Sequence, residues 1–442
     1  MGRSYYVDES VQKYFTRFAH QKNNLVTGLL IGQCSSQRDY IVLAAQTPPK
    51  EDPGEGPQKS KPEEMDEEWF CIHASQVSRM LPGGFLLLGV FLISPPELSK
   101  EAPTVLRKLI FATEKFAMKN KLWNLTDEDI SDRVALQICS STNKVVCRTF
   151  DVRDPKSTAK PADWKYQSAP MSWLTIECNV NVDLTVLLPS SATYQEQQKC
   201  TRTRLAQWAK ELEDCTTLFN GRLRDEGGDL MEDPKKGRSA PSGRQTVSAT
   251  FLTPSNISER STARVQVCNS SLQIQGVVKC RGYVCNSKPK VKDAIQIIKR
   301  DLLNTISDRC EIMFEDLILS RSAIGSEKSP CPLPLPQRVF VPIPASGAAL
   351  CDYIIGEETR EEAQSRFLEM LDHEVNYEDL DFVEEKRIVP DKEEAVCKSS
   401  KLSGDQTCAV RMDVPSSSSS LSIGIIIAAG VVLLAILVYF LK

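Results

Sequence analysis

The sequence predicts an α+β fold that ends in a membrane segment. Apolar strand patterns alternate with helical patterns along a chain of 442 residues, which is long enough for two or three domains at roughly 150 residues each. Apolar residues make up 41% and charged residues 25% of the sequence, as in ordinary globular proteins. The last apolar run, 421–441, is uncharged and has about the 20 residues that a bilayer core requires.

Composition excludes several classes of function. The net charge of −4 argues against nucleic-acid binding, which needs a strong basic footprint. The chain has three histidines, His20, His73 and His373, so histidine-rich metal chemistry is excluded. Its 15 cysteines are scattered and form no Cys-x-x-Cys pair, which indicates small buried side chains in a reducing compartment rather than a disulfide framework.

Residues 1–155 are predicted to form the first domain. Apolar side chains at helical spacing predict a helix over 4–20, and later helices are expected over 66–81 and 101–119. Continuous apolar runs predict strands. These strands are expected at 25–32, 40–45, 85–93, 134–139 and 144–150.

The order of these N-terminal elements resembles the MPN (metalloprotease-like) fold. Active members of that fold carry an early Glu and a His-x-His-Pro zinc motif, because two imidazoles hold the metal and a carboxylate activates its water. In this sequence the early Glu position falls on Leu25, and the two His positions fall on Leu92 and Ser94. None of these side chains can do that chemistry. The resemblance therefore implies an inactive MPN-like domain with no catalytic residue, metal or cofactor.

A second α+β domain is predicted over 168–385, after a polar, proline-containing hinge at 151–167. The segment 224–248 is low in apolar residues and is expected to be a disordered loop. The remaining patterns predict strands at 174–180, 184–188, 272–274, 276–284 and 338–341, and a helix over 292–306. A flexible tether, 386–420, is expected to follow this domain.

The segment 421–441 is predicted to be a transmembrane helix, with Leu421, Leu433 and Leu441 among its anchoring residues. The N-terminus has no apolar run of the kind found in secretory signals. A single terminal span without a signal predicts a tail-anchored protein whose bulk is cytosolic. The span has almost no basic flank on its far side, which favours the endoplasmic reticulum over the mitochondrial outer membrane.

Two alternative functions remain open. A cryptic thiol hydrolase would need a Cys/His pair, such as Cys34–His73 or Cys351–His373, since Cys71 and His73 at i and i+2 face different sides of a helix. A lipid-surface protein would use the basic helix 288–300 to bind headgroups. A plainer interpretation is that these basic side chains complement the chain's own acidic segment.

That acidic segment, 357–394, carries 15 acidic and five basic residues. It also contains apolar side chains that a purely solvating run would not need. Those at 367–371 are expected to pack as a helix rather than to form a free docking motif. The others are Tyr377, Leu380, Phe382 and Val383.

Several stretches resemble the odorant-response-abnormal protein four family. They include MGRSYYVDESV, HASQVSRMLPGG, DPKSTAKPADWKYQS and SKPKVKDAIQIIKRDLLNTISDRCEIMFEDL. The resemblance implies a non-enzymatic protein of the endoplasmic-reticulum membrane that assists the trafficking of multi-pass receptors such as odorant receptors. It also implies one partner, the ubiquitin-fold-modifier-specific protease, which this protein would recruit to the membrane.

Overall fold

The computed structural model describes residues 2–18, 25–35, 38–50, 66–118, 121–123, 129–167, 171–189, 192–231, 245–253, 270–285, 289–324, 335–343, 346–356, 358–383 and 385. The chain divides into two compact units, Met1–Lys386 and Arg387–Lys442, and every described residue belongs to the first. Both expected domains, 1–155 and 168–385, therefore fall within that first unit. The expected tether 386–420 and transmembrane helix 421–441, with its anchoring residues Leu421, Leu433 and Leu441, lie outside the described residues.

The N-terminal half forms a mixed eight-stranded sheet with the order β7-β6-β5-β4-β2-β3-β1-β8. Its central strands are continuous apolar runs, as expected for strands that are buried on both faces. The strands are β1 (Ser4–Asp8), β2 (Val26–Gln33), β3 (Asp39–Gln46), β4 (Leu86–Ser94), β5 (Asp132–Cys139), β6 (Val145–Asp151), β7 (Lys160–Pro161) and β8 (Asp163–Gln167).

The two edge strands of this sheet follow each other in the chain, with only Ala162 between them. β7 pairs with β6, and β8 pairs in parallel with β1 at the opposite edge. One short segment can reach both edges only if the sheet curls strongly, so residues 160–167 close it into a barrel-like form. Closure leaves little free edge, which protects a sheet against unwanted pairing.

Three helices cover this sheet. α1 (Glu9–Thr16) begins at Asp8, whose carboxylate accepts from the Ser10 N–H, and its aromatic side chains join the core enclosed by the sheet. α2 (Glu67–Arg79) begins at Asp66, which accepts from the Trp69 N–H. Together with α3 (Ala102–Met118) it packs on the outer face of the sheet. Capping by aspartate satisfies amide groups that a helix start otherwise leaves open.

A second sheet has five strands in the order β11-β10-β12-β9-β13. Buried and exposed residues alternate along its long strands, and two helices cover the apolar face. The elements are β9 (Leu174–Leu188), α4 (Tyr194–Glu213), β10 (Thr216–Phe219), β11 (Arg222–Leu223), β12 (Thr246–Leu252), β13 (Ser270–Val284) and α5 (Val291–Ile324).

The last described elements return to the N-terminal half. β14 (Gln337–Pro342) pairs with β15 (Ala349–Ile354) and with β16 (Asp381–Phe382) in a three-stranded sheet. α6 (Arg360–Leu371) begins with a capping box between Thr359 and Glu362. The apolar side chains of this part share one core with α2, α3 and the outer face of the eight-stranded sheet.

Two N-terminal expectations need correction. Residues 4–8 form strand β1 instead of the first turns of a helix, because Tyr5 and Val7 alternate inward while the backbone pairs with β3 and β8. The hinge expected at 151–167 contains β7 and β8, which bond to both edges of the first sheet. Polar composition hid these strands, since their pairing partners are distant in sequence.

The second half also differs from expectation. The strands expected at 174–180 and 184–188 are one 15-residue strand, β9, and the helix expected over 292–306 extends over Val291–Ile324. The expected loop 224–248 is ordered where it is described: a turn follows β11, and Thr246 begins β12. Pairing of β12 with β10 and β9 compensates there for the low apolar content.

None of the helices in the described part of the chain has the length and hydropathy needed to cross a bilayer.

Candidate functional site

The three positions where the MPN pattern would place a metal site lie at one end of the first sheet. Val26 of β2 pairs with Ile93 of β4. Leu25 therefore lies opposite Ser94, and antiparallel neighbours point to the same face. Leu92 is wholly buried, and both leucines pack into the core beneath α2 and α3. The sheet thus brings the three side chains together, but as two apolar groups and one hydroxyl.

Ser94 is buried, and its Oγ has no hydrogen-bond partner among the described residues. Its strand neighbour is Cys139 of β5. The Cys139 Sγ lies 3.4 Å from the Ser141 Oγ, and hydrogen bonding to Ser141 and Thr142 lowers the pKa of this thiol to about 7. Over the described ranges, no group of three or more His, Cys, Asp or Glu side chains is arranged to hold a metal ion.

The described histidines are engaged elsewhere. His73 on α2 is buried, and its Nε2 lies 2.8 Å from the Met370 carbonyl oxygen of α6. Burial lowers the pKa of His73 to about 4, so the ring is neutral at physiological pH and donates from Nε2. His373 stacks on Tyr14. His20 lies outside the described residues.

Of the two cysteines considered as histidine partners, Cys351 is buried and Cys34 is partly buried. Burial raises the pKa of Cys34 to about 12 and that of Cys351 to about 11. The Cys351 Sγ lies 3.2 Å from the Arg338 Nη2, so its close polar neighbour is a guanidinium group. Thiols with raised pKa values are poor nucleophiles at neutral pH.

The described basic side chains of the segment 288–300 bind groups within the chain. Lys290 pairs with Asp229 at 2.6 Å, and the Lys299 Nζ donates to the Glu213 carbonyl oxygen. Arg300 donates to both carboxylate oxygens of Asp129. These contacts stabilise the fold, but none of the three partners lies in the acidic segment 357–394 that the plainer interpretation named.

A buried polar cluster joins the three described sheets. Asp301 of α5 is 1% exposed, and each of its carboxylate oxygens accepts an N–H from Arg338 of β14 at 2.8 Å. The Gly83 amide donates to Oδ1 and the Arg281 amide of β13 donates to Oδ2, both at 2.8 Å. A buried carboxylate with four donors is well compensated for the loss of water.

A second buried side chain reinforces this contact. Gln33, at the end of β2, donates from Nε2 to the Tyr283 and Gly84 carbonyl oxygens and accepts at Oε1 from the Cys285 amide. Gly84 has φ +92°, and a Cβ there would lie 2.1 Å from the Tyr283 carbonyl oxygen. We call the set Gln33, Gly83, Gly84, Asp301 and Arg338 the junction.

Sequence reasoning missed the junction. The helix predicted over 66–81 ends directly before Pro82-Gly83-Gly84, and paired glycines also permit close approach of two backbones. The available signal was an acidic residue on the apolar stripe of a long helix, because Asp301 follows Ile298 and precedes Leu302, which are both buried.

Comparison with known proteins gives the family. A family model described as "Odorant response abnormal 4-like" matches residues 28–382. The chain belongs to this ODR4-like family. It is 54% identical over 449 residues to the "Protein odr-4 homolog" of Xenopus laevis, covering 100% of this chain and 99% of that protein. It is 48% identical to the Homo sapiens protein of the same name, covering 87% of this chain and 86% of that one.

The chain is also similar to proteins of lower sequence identity. The "Odorant response abnormal protein 4" of Caenorhabditis elegans is 23% identical over 383 residues, covering 83% of this chain and 76% of that protein. A solved structure, the "Crystal structure of UfSP from C.elegans", superposes with a TM-score of 0.45 and 9% identity, covering 84% of this chain and 57% of that chain. The names of the family relatives describe no reaction.

Proposed function

We propose that this ODR4-like chain is a non-enzymatic adaptor of the endoplasmic-reticulum membrane. It recruits the ubiquitin-fold-modifier-specific protease and assists the folding or trafficking of multi-pass receptors such as odorant receptors. Family membership supports the receptor role, since the relatives are named for an odorant response. The protease is a proposal that rests on the family resemblance stated above.

The non-enzymatic part of the proposal rests on the side chains that lie where β2 begins and β4 ends. A catalytic zinc site needs imidazole or carboxylate ligands and an open position for water. Leu25, Leu92 and Ser94 supply neither kind of ligand, and Leu92 is completely buried. We therefore infer an inactive MPN-like N-terminal part that uses no cofactor and keeps its fold for binding.

The membrane part of the proposal assigns 421–441 as the single span and 386–420 as its tether. The supporting observation is the uncharged apolar run in the sequence. Fractionation of cells that express a chain lacking 421–441 tests it. The shortened chain is expected in the supernatant after high-speed centrifugation, and its unchanged recovery with membranes would contradict the assignment.

Affinity purification tests the adaptor role. The full chain is purified from gently solubilised membranes, and co-purified proteins are quantified by mass spectrometry. The ubiquitin-fold-modifier-specific protease is expected in near-equal amount. The chain lacking 421–441 is the matched variant: it should still bind the protease but should no longer bring it to membranes. Absence of the protease from both preparations would overturn the proposal.

A further inference from the structure

The turn between β5 and β6 holds a partly exposed cysteine. Cys139 is the last residue of β5. Its amide donates to the Lys144 carbonyl oxygen, and its own carbonyl oxygen accepts from the Asn143 amide. Asn143 has φ +55°, a left-handed conformation that asparagine tolerates better than most residues. This closed turn places the Cys139 Sγ 3.4 Å from the Ser141 Oγ.

Hydrogen bonds in this turn favour the ionised form of the thiol. Those from Ser141 and Thr142 lower the pKa of Cys139 to about 7. Burial instead raises the pKa of Cys71 to about 11 and that of Cys147 to about 12. The thiolate is the form of cysteine that reacts with an oxidant. At pH 7 about half of the Cys139 side chains are therefore reactive, whereas the two buried thiols stay protonated.

A buried hydroxyl lies on the neighbouring strand beside Cys139. Ser94 is the last residue of β4, and it is the direct neighbour of Cys139 in the parallel pair of β4 and β5. Ile93 and Ile138 point into the core enclosed by the sheet, so the next residue of each strand points to the outer face. The Ser94 side chain is 1% exposed, and its Oγ has no hydrogen-bond partner among the described residues. An acceptor added to the Cys139 sulfur would meet this hydroxyl.

The other groups near Cys139 on these strands are engaged or face away. Gln137 precedes it by two residues on the same face, and its Nε2 donates to the carbonyl oxygen and the hydroxyl of Ser99. Cys147 of β6 pairs with Leu136 and packs into the enclosed core. A disulfide between Cys139 and Cys147 would have to cross the sheet, so oxidation of Cys139 would stop at the sulfur itself.

We propose that Cys139 is a modification site for hydrogen peroxide, at which the Ser94 hydroxyl holds the added oxygen atom. The thiolate sulfur attacks one peroxide oxygen, so that an S–O bond forms and the O–O bond breaks. The hydroxide that leaves takes the proton of the new S–OH group and departs as water. Sulfur loses two electrons, the peroxide gains two, and the product is a sulfenate. This inference is independent of the adaptor role, because one oxidation per chain is not enzymatic turnover.

Labelling of the sulfenate tests the site directly. The reduced full-length chain in mild detergent is treated at pH 7 with hydrogen peroxide and dimedone, which labels sulfenic acids, and the labelled peptides are quantified by mass spectrometry. Cys139 should be labelled at least about threefold more than Cys200, a partly buried thiol of α4, and at least about 10-fold more than buried Cys71. Equal labelling of Cys139 and Cys200 would overturn the proposal.

Alkylation by iodoacetamide from pH 5 to 9 tests the activation of the thiol. The rate at Cys139 should be half-maximal near pH 7, because the thiolate fraction rises with pH. Ser141→Ala removes a hydrogen bond to the sulfur and should move this midpoint to higher pH. The matched control is Ser365→Ala, which alters an exposed serine of α6 and should leave the midpoint unchanged. An unshifted midpoint in Ser141→Ala would contradict activation by the turn.

The lifetime of the sulfenate tests the role of Ser94. Dimedone is added at increasing delays after the peroxide has been removed. Ser94→Ala should shorten the lifetime at Cys139 at least about threefold, since the oxygen loses a hydrogen-bond donor. The control Thr113→Val removes another buried hydroxyl without a described partner, next to Glu114, which bonds to Arg133 at the opposite end of β5. With folding checked by unfolding temperatures, a wild-type lifetime in Ser94→Ala, or an equal loss in Thr113→Val, would show that Ser94 does not hold the oxygen.

Discussion

Two regions of the molecule differ in how their buried polar side chains are paired. One is the edge of the first sheet where β2 begins and β4 ends, and the other is the junction. At the first, where the MPN pattern would place metal ligands, the structure has Leu25, Leu92 and a Ser94 hydroxyl without a described partner. At the junction, Asp301 and Arg338 are almost completely buried, and the Asp301 carboxylate accepts N–H groups from Arg338 and from two backbone amides. The buried charges of the junction hold the three sheets together.

That difference has a physical basis. A catalytic group needs an open coordination or hydrogen-bonding position, which costs stability when it is buried. The oxygens of Asp301 have no such open position, because they accept four N–H groups. Four variants test the contrast, from the largest expected effect to the smallest.

Removing the junction arginine should have the largest effect. Arg338→Met leaves the Asp301 charge buried and partly unpaired, which should lower the free energy of unfolding by about 3–5 kcal/mol. Urea unfolding of the full-length chain in mild detergent measures the loss. Lys13→Met removes an exposed ion pair with Glu9 and should cost at most about 1 kcal/mol. Equal losses in the two variants would show that the junction contributes no more than a surface pair.

Substitution of the close-approach glycine should come next. Gly84→Ala places a methyl group 2.1 Å from the Tyr283 carbonyl oxygen at φ +92°, so a loss of about 2 kcal/mol or more is expected. The control is Gly276→Ala, where no atom of the described residues, apart from the two chain neighbours, lies within 4 Å of the new methyl group. Its effect should stay within about 1 kcal/mol. A tolerated Gly84→Ala would contradict the close packing of the junction.

A second buried carboxylate on α5, that of Asp308, can be compared with Asp301. Asp308 lies two turns after Asp301, and burial raises its pKa to about 6, although Lys121, Arg79 and Arg338 oppose that rise and Glu311 adds to it. A raised folded-state pKa means that the folded chain binds more protons between about pH 4 and 6, so stability falls as pH rises through that range.

Asp308→Asn should therefore stabilise the fold at pH 7 by up to about 3 kcal/mol. The gain should vanish below about pH 4, where Asp308 is protonated in both states. Unfolding midpoints measured from pH 4 to 8 check this. Stability that is lowered by the variant at pH 7 would mean that the Asp308 charge is favourably paired.

The smallest effect is expected at Ser94, where the MPN pattern would have a histidine ligand. Ser94→Ala removes a buried hydroxyl without a described partner, so stability should change by less than about 1 kcal/mol or rise slightly. The control is Ser157→Ala: the Ser157 Oγ accepts from the Asp151 amide at 2.9 Å, and its loss should cost about 1–2 kcal/mol. A large loss at Ser94 would reveal a bound group there.

Local patterns in the sequence predicted the central strands and the two helices on the outer face. Gly-bounded apolar runs identify β2 and β4, and Asp66 marks the start of α2. The sequence predicts a helix from residue 4 because Val7 continues the helical spacing of Val11 and Tyr14. Strand pairing decided in favour of β1.

The junction depends on contacts between residues far apart in sequence. Gln33 bonds to residues about 250 positions away, and Gly83 to Asp301, 218 positions away. A single sequence carries no sign of such pairing. By contrast, the loss of the metal ligands could be predicted, because the sequence shows directly that Ser94 stands where the MPN pattern needs a histidine.

The most direct measurement compares two variants in cells that lack this protein. One combines His73→Gln, Ser94→Ala and Cys139→Ser and removes the side chains that chemistry would need. The other, Arg338→Met, breaks the junction. The readout is the amount of ubiquitin-fold-modifier-specific protease at endoplasmic-reticulum membranes, with unfolding temperatures as the check on folding. We expect the triple variant to retain recruitment and Arg338→Met to lose it. A folded triple variant that loses recruitment would contradict a purely structural adaptor.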